Sequence, residues 1–137
     1  MKLILNNKIR ALVCDMAGTT VNEKGIIYKT LYETIKNFGL HIKEENEINK
    51  WHGANKYDVL DHYLQKTFND KTKQNLLRYK LHTIFENNLI NNYSEPGNIS
   101  LIHEDLPLLF NSLREKDISI FLNTGYPKNI QKIIIDK

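Results

Sequence analysis

ALVCDMAGTTV, residues 11–21, is the stretch on which the fold turns. A short apolar run, part of IRALVCD at 9–15, stops on Asp15 and passes at once into a loop containing Gly18. Apolar, β-branched sequence ended by a Gly-bearing turn is the pattern of a buried strand, here with a carboxylate at its tip. A second run of the same kind, ISIFL at 118–122, leads into NTGY.

The sequence between these runs has a different period. Residues 27–38 place Ile27, Leu31, Ile35 and Phe38 at helical spacing, and Gly39 follows as a stop. KEENEINKW, 43–51, predicts a short helix broken at Gly53. Residues 56–68 carry Val59, Leu60, Tyr63, Leu64 and Phe68 on one face. A longer helix over 71–91 has Leu76, Leu77, Leu81, Ile84, Phe85, Leu89 and Ile90 as its apolar stripe. SEPGN at 94–98 is the clearest break. LPLLFNSLREK then predicts a helix with Pro107 in its first turn, and PKNIQKIIIDK opens another.

Strand, helices, strand, helix is the order of an α/β fold with a parallel sheet. The helical stretch is far longer than one crossover requires. Residues 22–93 therefore read as a helical insertion between two pieces of core, 1–21 and 94–137. Ligands of such sheets sit at the carboxyl ends of the strands, where Asp15 and Thr124 both fall.

Composition narrows the classes. At 137 residues there is room for one domain, and 41% hydrophobic with 26% charged residues is ordinary for a folded globular chain. A net charge of +3 without clustered Lys or Arg argues against nucleic acid as the partner. One cysteine, Cys14, allows no internal disulfide and suits a reducing compartment. MKLILNNKIR is too short in its apolar part for a signal peptide, and no run approaches membrane-spanning length. These features predict a cytoplasmic protein with a small-molecule substrate, no nucleic acid and no membrane, and leave a homo-oligomer open. Cys14 reads as core packing. His41, His62, His82 and His103 lack metal-ligand spacing and read as surface or partly packed residues. Trp51 and Tyr57 fit either packing between the two segments or lining a substrate entrance.

The chemistry available to DMAGTT follows from its residue types. An aspartate at a strand tip can attack phosphorus to form an aspartyl-phosphate, or hold Mg²⁺. Gly18 lets backbone approach a phosphate, Thr19 adds a hydroxyl and an amide, and Thr124 with the Gly125 amide supplies further donors for a phosphoryl oxygen. A purely structural turn has the same spacing.

DMAGTTV at 15–21, the helical insertion, and LNTGY at 122–126 together resemble the haloacid dehalogenase superfamily. Within it they are most similar to the phosphonatase-like branch, the relatives of phosphonoacetaldehyde hydrolase, from about residue 9 onward. The resemblance implies a Rossmann-like core with an incomplete parallel sheet and a helical cap inserted after the first motif. It implies that Asp15 is the nucleophile, that Asp15 and the Ala17 carbonyl ligate Mg²⁺, and that Thr124 binds the phosphoryl group. Most phosphatases of the superfamily have an acid/base aspartate where this chain has Ala17, whereas phosphonatases share the alanine. They break a P–C bond with help from a cap lysine that forms a Schiff base. Lys56, three residues after Gly53, matches that lysine. His52 and Val59 stand where phosphonatases carry Met and His, which favours a related hydrolase of small phosphonates or phosphates. The superfamily's third and fourth motifs, a basic residue and an acidic pair, have no counterpart after Thr124, so the resemblance implies a C-terminally truncated chain. Two alternatives accompany this reading: an inactive or partner-dependent fragment, and a phosphatase of the phosphoglycolate type.

Overall fold

The computed structural model describes residues 9–137, so the signal-peptide reading of the first residues lies outside the described part. The first strand, β1, is Ala11–Asp15, and the loop after it leads into a two-residue strand, β2, Val21–Asn22. Three α-helices follow: α1 Ile26–Asn37, α2 Lys56–Thr67 and α3 Lys71–Ser94, with a 3-10 helix Glu45–Trp51 between the first two. Then come β3 Ser100–Leu101, α4 Leu106–Arg114, β4 Ser119–Asn123 and α5 Lys128–Ile135. The chain is mixed α/β.

Local chemistry sets the helix ends. After α1, Gly39 takes φ 80° and the Leu40 amide reaches back to the Ile35 carbonyl at 3.1 Å, a left-handed stop that glycine makes without steric cost. The Asn55 side chain accepts the Tyr57 amide at 2.9 Å to start α2. Asp70 accepts the Thr72 amide at 2.8 Å to start α3, and each such cap contributes about 1 kcal/mol. Pro107 sits in the first turn of α4, where its missing N–H is not needed.

The three long helices pack on one another. Leu31, Ile35, Leu60, Tyr63, Leu64 and Leu81 are fully buried between them, each contributing roughly 2 kcal/mol by removal from water. On α1 the buried Thr30 and Thr34 accept hydrogen bonds from Asn92 (2.8 Å) and Asn88 (3.3 Å) of α3. The core continues through Met16 and Val21 after β1 to Ile130 and Ile134 of α5, which packs on α3.

β1 and β4 pair in parallel, Ala11 opposite Ser119 through Asp15 opposite Asn123. β2 and β3 pair antiparallel, Val21 with Leu101 and Asn22 with Ser100, and Ile102 donates to the Thr20 carbonyl at 3.0 Å. This second pair draws together the points where the chain enters and leaves its long helical stretch. Two residues per strand carry no readable alternation, and the sequence does not announce them.

Three expectations need correction. The strands are not buried: neither β1 nor β4 holds a fully buried residue, and Val13 and Phe121 are 64% and 55% exposed. A parallel sheet is usually covered on both faces, but here α4 is what packs on β4 while α1, α2 and α3 spend their apolar faces on one another. Leu76 does not belong to the buried stripe of α3. It is 75% exposed, and Leu81, Phe85, Leu89 and Tyr93 form the buried line instead. Finally, α3 continues to Ser94 rather than ending at 91.

Candidate active site

A cavity of about 650 Å³ opens where β1 and β4 end. Asp15, Ala17 and Gly18 border it from the first loop, Thr124 and Gly125 from the loop after β4, and Lys56 from the first turn of α2. Residues more than a hundred positions apart thus meet because β1 and β4 are parallel and in register at their tips, Asp15 opposite Asn123.

Asp15 is exposed, and the loop behind it is tied down by its own backbone. The Met16 carbonyl accepts the amides of Thr19 (3.2 Å), Thr20 (3.0 Å) and Val21 (2.9 Å), while Gly18, at φ 78°, donates to the Val21 carbonyl at 2.8 Å. The Thr20 hydroxyl donates to the Asp15 carbonyl at 3.1 Å. Gly18 therefore serves the turn with its amide engaged. Thr19 is exposed and does not border the cavity, though its hydroxyl lies 3.5 Å from the Asp15 carboxylate. Thr124 is half-buried, and its hydroxyl accepts the Tyr126 amide at 3.2 Å, which leaves its own hydrogen available.

Lys56 is half-buried. Its amine donates to the Ala54 carbonyl at 2.7 Å and the Tyr28 hydroxyl at 3.5 Å, 4.7 Å from the Tyr28 ring centre. Tyr28 in turn stacks on His52 at 4.1 Å between ring centres, with the ring planes nearly parallel. Tyr57 borders the cavity, whereas Trp51 tilts against His62 outside it. The Tyr57 hydroxyl donates to Glu86 of α3 at 2.5 Å, and burial, then Glu86, holds it well above the ordinary phenol range.

Sequence reasoning missed a buried polar chain on the cavity wall. Glu23 caps α1, one carboxylate oxygen accepting the Ile27 amide at 3.1 Å. The same oxygen accepts the Tyr93 hydroxyl of α3 at 2.9 Å, and Tyr93 lies 2.8 Å from the Tyr126 hydroxyl. Burial foremost, with Tyr126 and Glu23 beside it, pushes the Tyr93 phenol far up. Burial also pushes Tyr126 up to about 12, with the Glu23, Tyr28 and Asp15 neighbours adding to the rise. Nothing local marks these residues, because Glu23 and Tyr93 are seventy positions apart.

Elsewhere, Asp61 of α2 holds His82 (2.8 Å) and Arg78 (3.0 Å) of α3, a structural tie within the helical body. His41, His62 and His103 are exposed and Cys14 is partly exposed. Among the described residues no three His, Cys, Asp or Glu side chains gather as a metal site. The oxygen donors at Asp15 and Ala17 nonetheless fit Mg²⁺, which takes one or two carboxylates and keeps its waters and substrate oxygens. Among the described residues no helix is long and apolar enough to cross a membrane. No protein-family model matches the chain, and no curated protein matches it at a significant level.

Proposed function

We propose that the chain is a Mg²⁺-dependent hydrolase of the haloacid dehalogenase type, in its phosphonatase-like branch, acting on a small phosphonate or phosphate. One observation carries this reading: Asp15, Thr124 and Lys56, from three distant segments, border a single cavity at the tips of parallel strands. On this reading residues 1–21 and 94–137 form a Rossmann-like core and 22–93 its cap.

An Asp15 oxygen attacks phosphorus, and the bond from phosphorus to the leaving group breaks to give an aspartyl-phosphate. Water then attacks the same phosphorus, releasing phosphate and restoring Asp15. Thr124, with the adjoining Gly125, holds the phosphoryl oxygens. Asp15 and the Ala17 carbonyl would hold Mg²⁺, which supplies charge neutralisation for the phosphoryl group when bound. Lys56 is the amine placed to join an aldehyde substrate as a Schiff base, for which it must leave the Ala54 carbonyl.

The test is phosphate release from acetyl phosphate with Mg²⁺, expected for the wild type and absent in Asp15→Asn. A folded wild type that releases no phosphate overturns the reading. Borohydride trapping in the presence of an aldehyde substrate is expected to label Lys56, and no label there removes the imine role alone.

The open sheet favours a second reading, a chain that works only with a partner over its strands. Val13, Phe121 and Leu122 are large apolar residues left in water. Concentration-dependent self-association in sedimentation would support it.

A further inference from the structure

Hydrolysis of an aspartyl-phosphate needs a group to take the proton of the attacking water, and the Asp15 loop has none to offer. Ala17 is apolar, the Thr20 hydroxyl is bonded to the Asp15 carbonyl, and the Thr19 hydroxyl points its hydrogen at the Asp15 carboxylate from outside the cavity lining. The polar chain on the cavity wall differs in this respect. Tyr126 borders the same cavity as Asp15, and its hydroxyl is joined to Tyr93 and through it to Glu23 at 2.8 and 2.9 Å. Both separations are ordinary for O–H···O bonds. Tyr93 is fully buried, so no water interrupts the middle of the chain.

The direction of the hydrogens follows from counting donors. The Tyr93 hydroxyl donates its single hydrogen to the Glu23 oxygen. Tyr126 must then donate to Tyr93, which leaves the Tyr126 oxygen, on a residue that borders the cavity, able to accept a further hydrogen. All three groups are set to move a proton inward.

We propose that Tyr126, Tyr93 and Glu23 form a proton wire that deprotonates the water attacking the phosphorylated Asp15. The inference rests on the hydrolase reading above. In the step, the water oxygen bonds to phosphorus as the bond from phosphorus to Asp15 breaks. The water proton passes to the Tyr126 oxygen, the Tyr126 proton to Tyr93, and the Tyr93 proton to Glu23. After phosphate departs, the proton returns to solvent along the same path. Tyr126 is the group that meets the water. Tyr93 and Glu23 act through it.

The wire serves only the second half of the reaction, which makes it separable from the attack by Asp15. With radiolabelled acetyl phosphate and Mg²⁺, Tyr126→Phe and Glu23→Gln are expected to form the phosphoenzyme at the wild-type rate. They are expected to lose its label about 100-fold more slowly, so that acid-quenched protein accumulates close to one label per chain. Tyr126→Phe keeps the ring against Tyr93 and removes one hydroxyl, so it decides the matter even where Glu23→Gln fails to fold. Wild-type label loss in Tyr126→Phe overturns the wire, as does equal slowing of label gain and label loss. No label on wild-type protein overturns the hydrolase reading and the wire together, whereas label on wild type, none on Asp15→Asn and unslowed label loss from Tyr126→Phe uphold the first and overturn the second.

Discussion

Val13 and Phe121 face each other across the parallel strands and stay 64% and 55% exposed, while Leu64 of α2 and Leu81 of α3 are fully buried. The strands, ALVCD and SIFLN, are the more apolar in sequence. A helix buries one stripe, and three helices satisfy one another. A parallel strand presents apolar residues on both faces and needs cover on each, which two strands and α4 do not provide. Stability therefore resides in the helical body, and the cavity bordered by Asp15 and Thr124 lies at the tip of the less covered region.

Several substitutions would sharpen or break that contrast. The largest effect is expected at the strand tip: Asp15→Asn should lower phosphate release about a thousandfold or more. Because the side chain is exposed, its denaturant midpoint should stay close to wild type. A clear loss of stability would show that Asp15 is part of the scaffold. Next, Leu81→Ala should cost about 3 kcal/mol in urea unfolding. Phe121→Ser should change stability by less than about 0.5 kcal/mol and reduce binding of an apolar dye. Equal costs for these two would mean that the sheet is covered in solution.

A smaller loss, about 1 kcal/mol, is expected for Asn92→Ala, which removes the bond to the buried Thr30 hydroxyl. The smallest effect is electrostatic. Glu47 accepts the Lys43 amide at 2.7 Å, and that bond holds its carboxyl below the usual value of 4.5. Its folded-state value is depressed, so its contribution is complete above that value and disappears as pH falls through the folded-state one. Wild type and Glu47→Gln should accordingly converge in stability on acidification, and a constant difference across that window would remove the ionic contribution.

Legibility in the sequence followed the range of the interactions. α1 and α2 begin and end within a residue or two of their apolar periodicity, because caps such as Asn55 and stops such as Gly39 are local. Parallel strands were legible as apolar runs, but their exposure was not, since cover depends on what other elements do. Leu76 has the right spacing for the α3 stripe yet lies on a turn with no neighbour to bury it. At the site, Asp15 and Thr124 announce themselves by chemistry at strand ends, and Lys56 only through the family resemblance. Tyr28, Glu23, Tyr93 and Tyr126 do not, because nothing near any of them in the sequence shows that Tyr28 meets Lys56 or that Tyr93 joins Glu23 to Tyr126.

The pairing of Ala11 with Ser119 has a consequence for the order of folding. Contacts of α2 with α3 join near neighbours in the chain, and those of α1 with α3 span 62 positions at Thr30–Asn92, still shorter than the strand pairing, so the helical body forms first. Closing a loop of more than a hundred residues to align β1 with β4 is entropically slow and comes late. A chain caught midway would carry a finished helical body and no cavity. Asp15 meets Thr124 only in the last event.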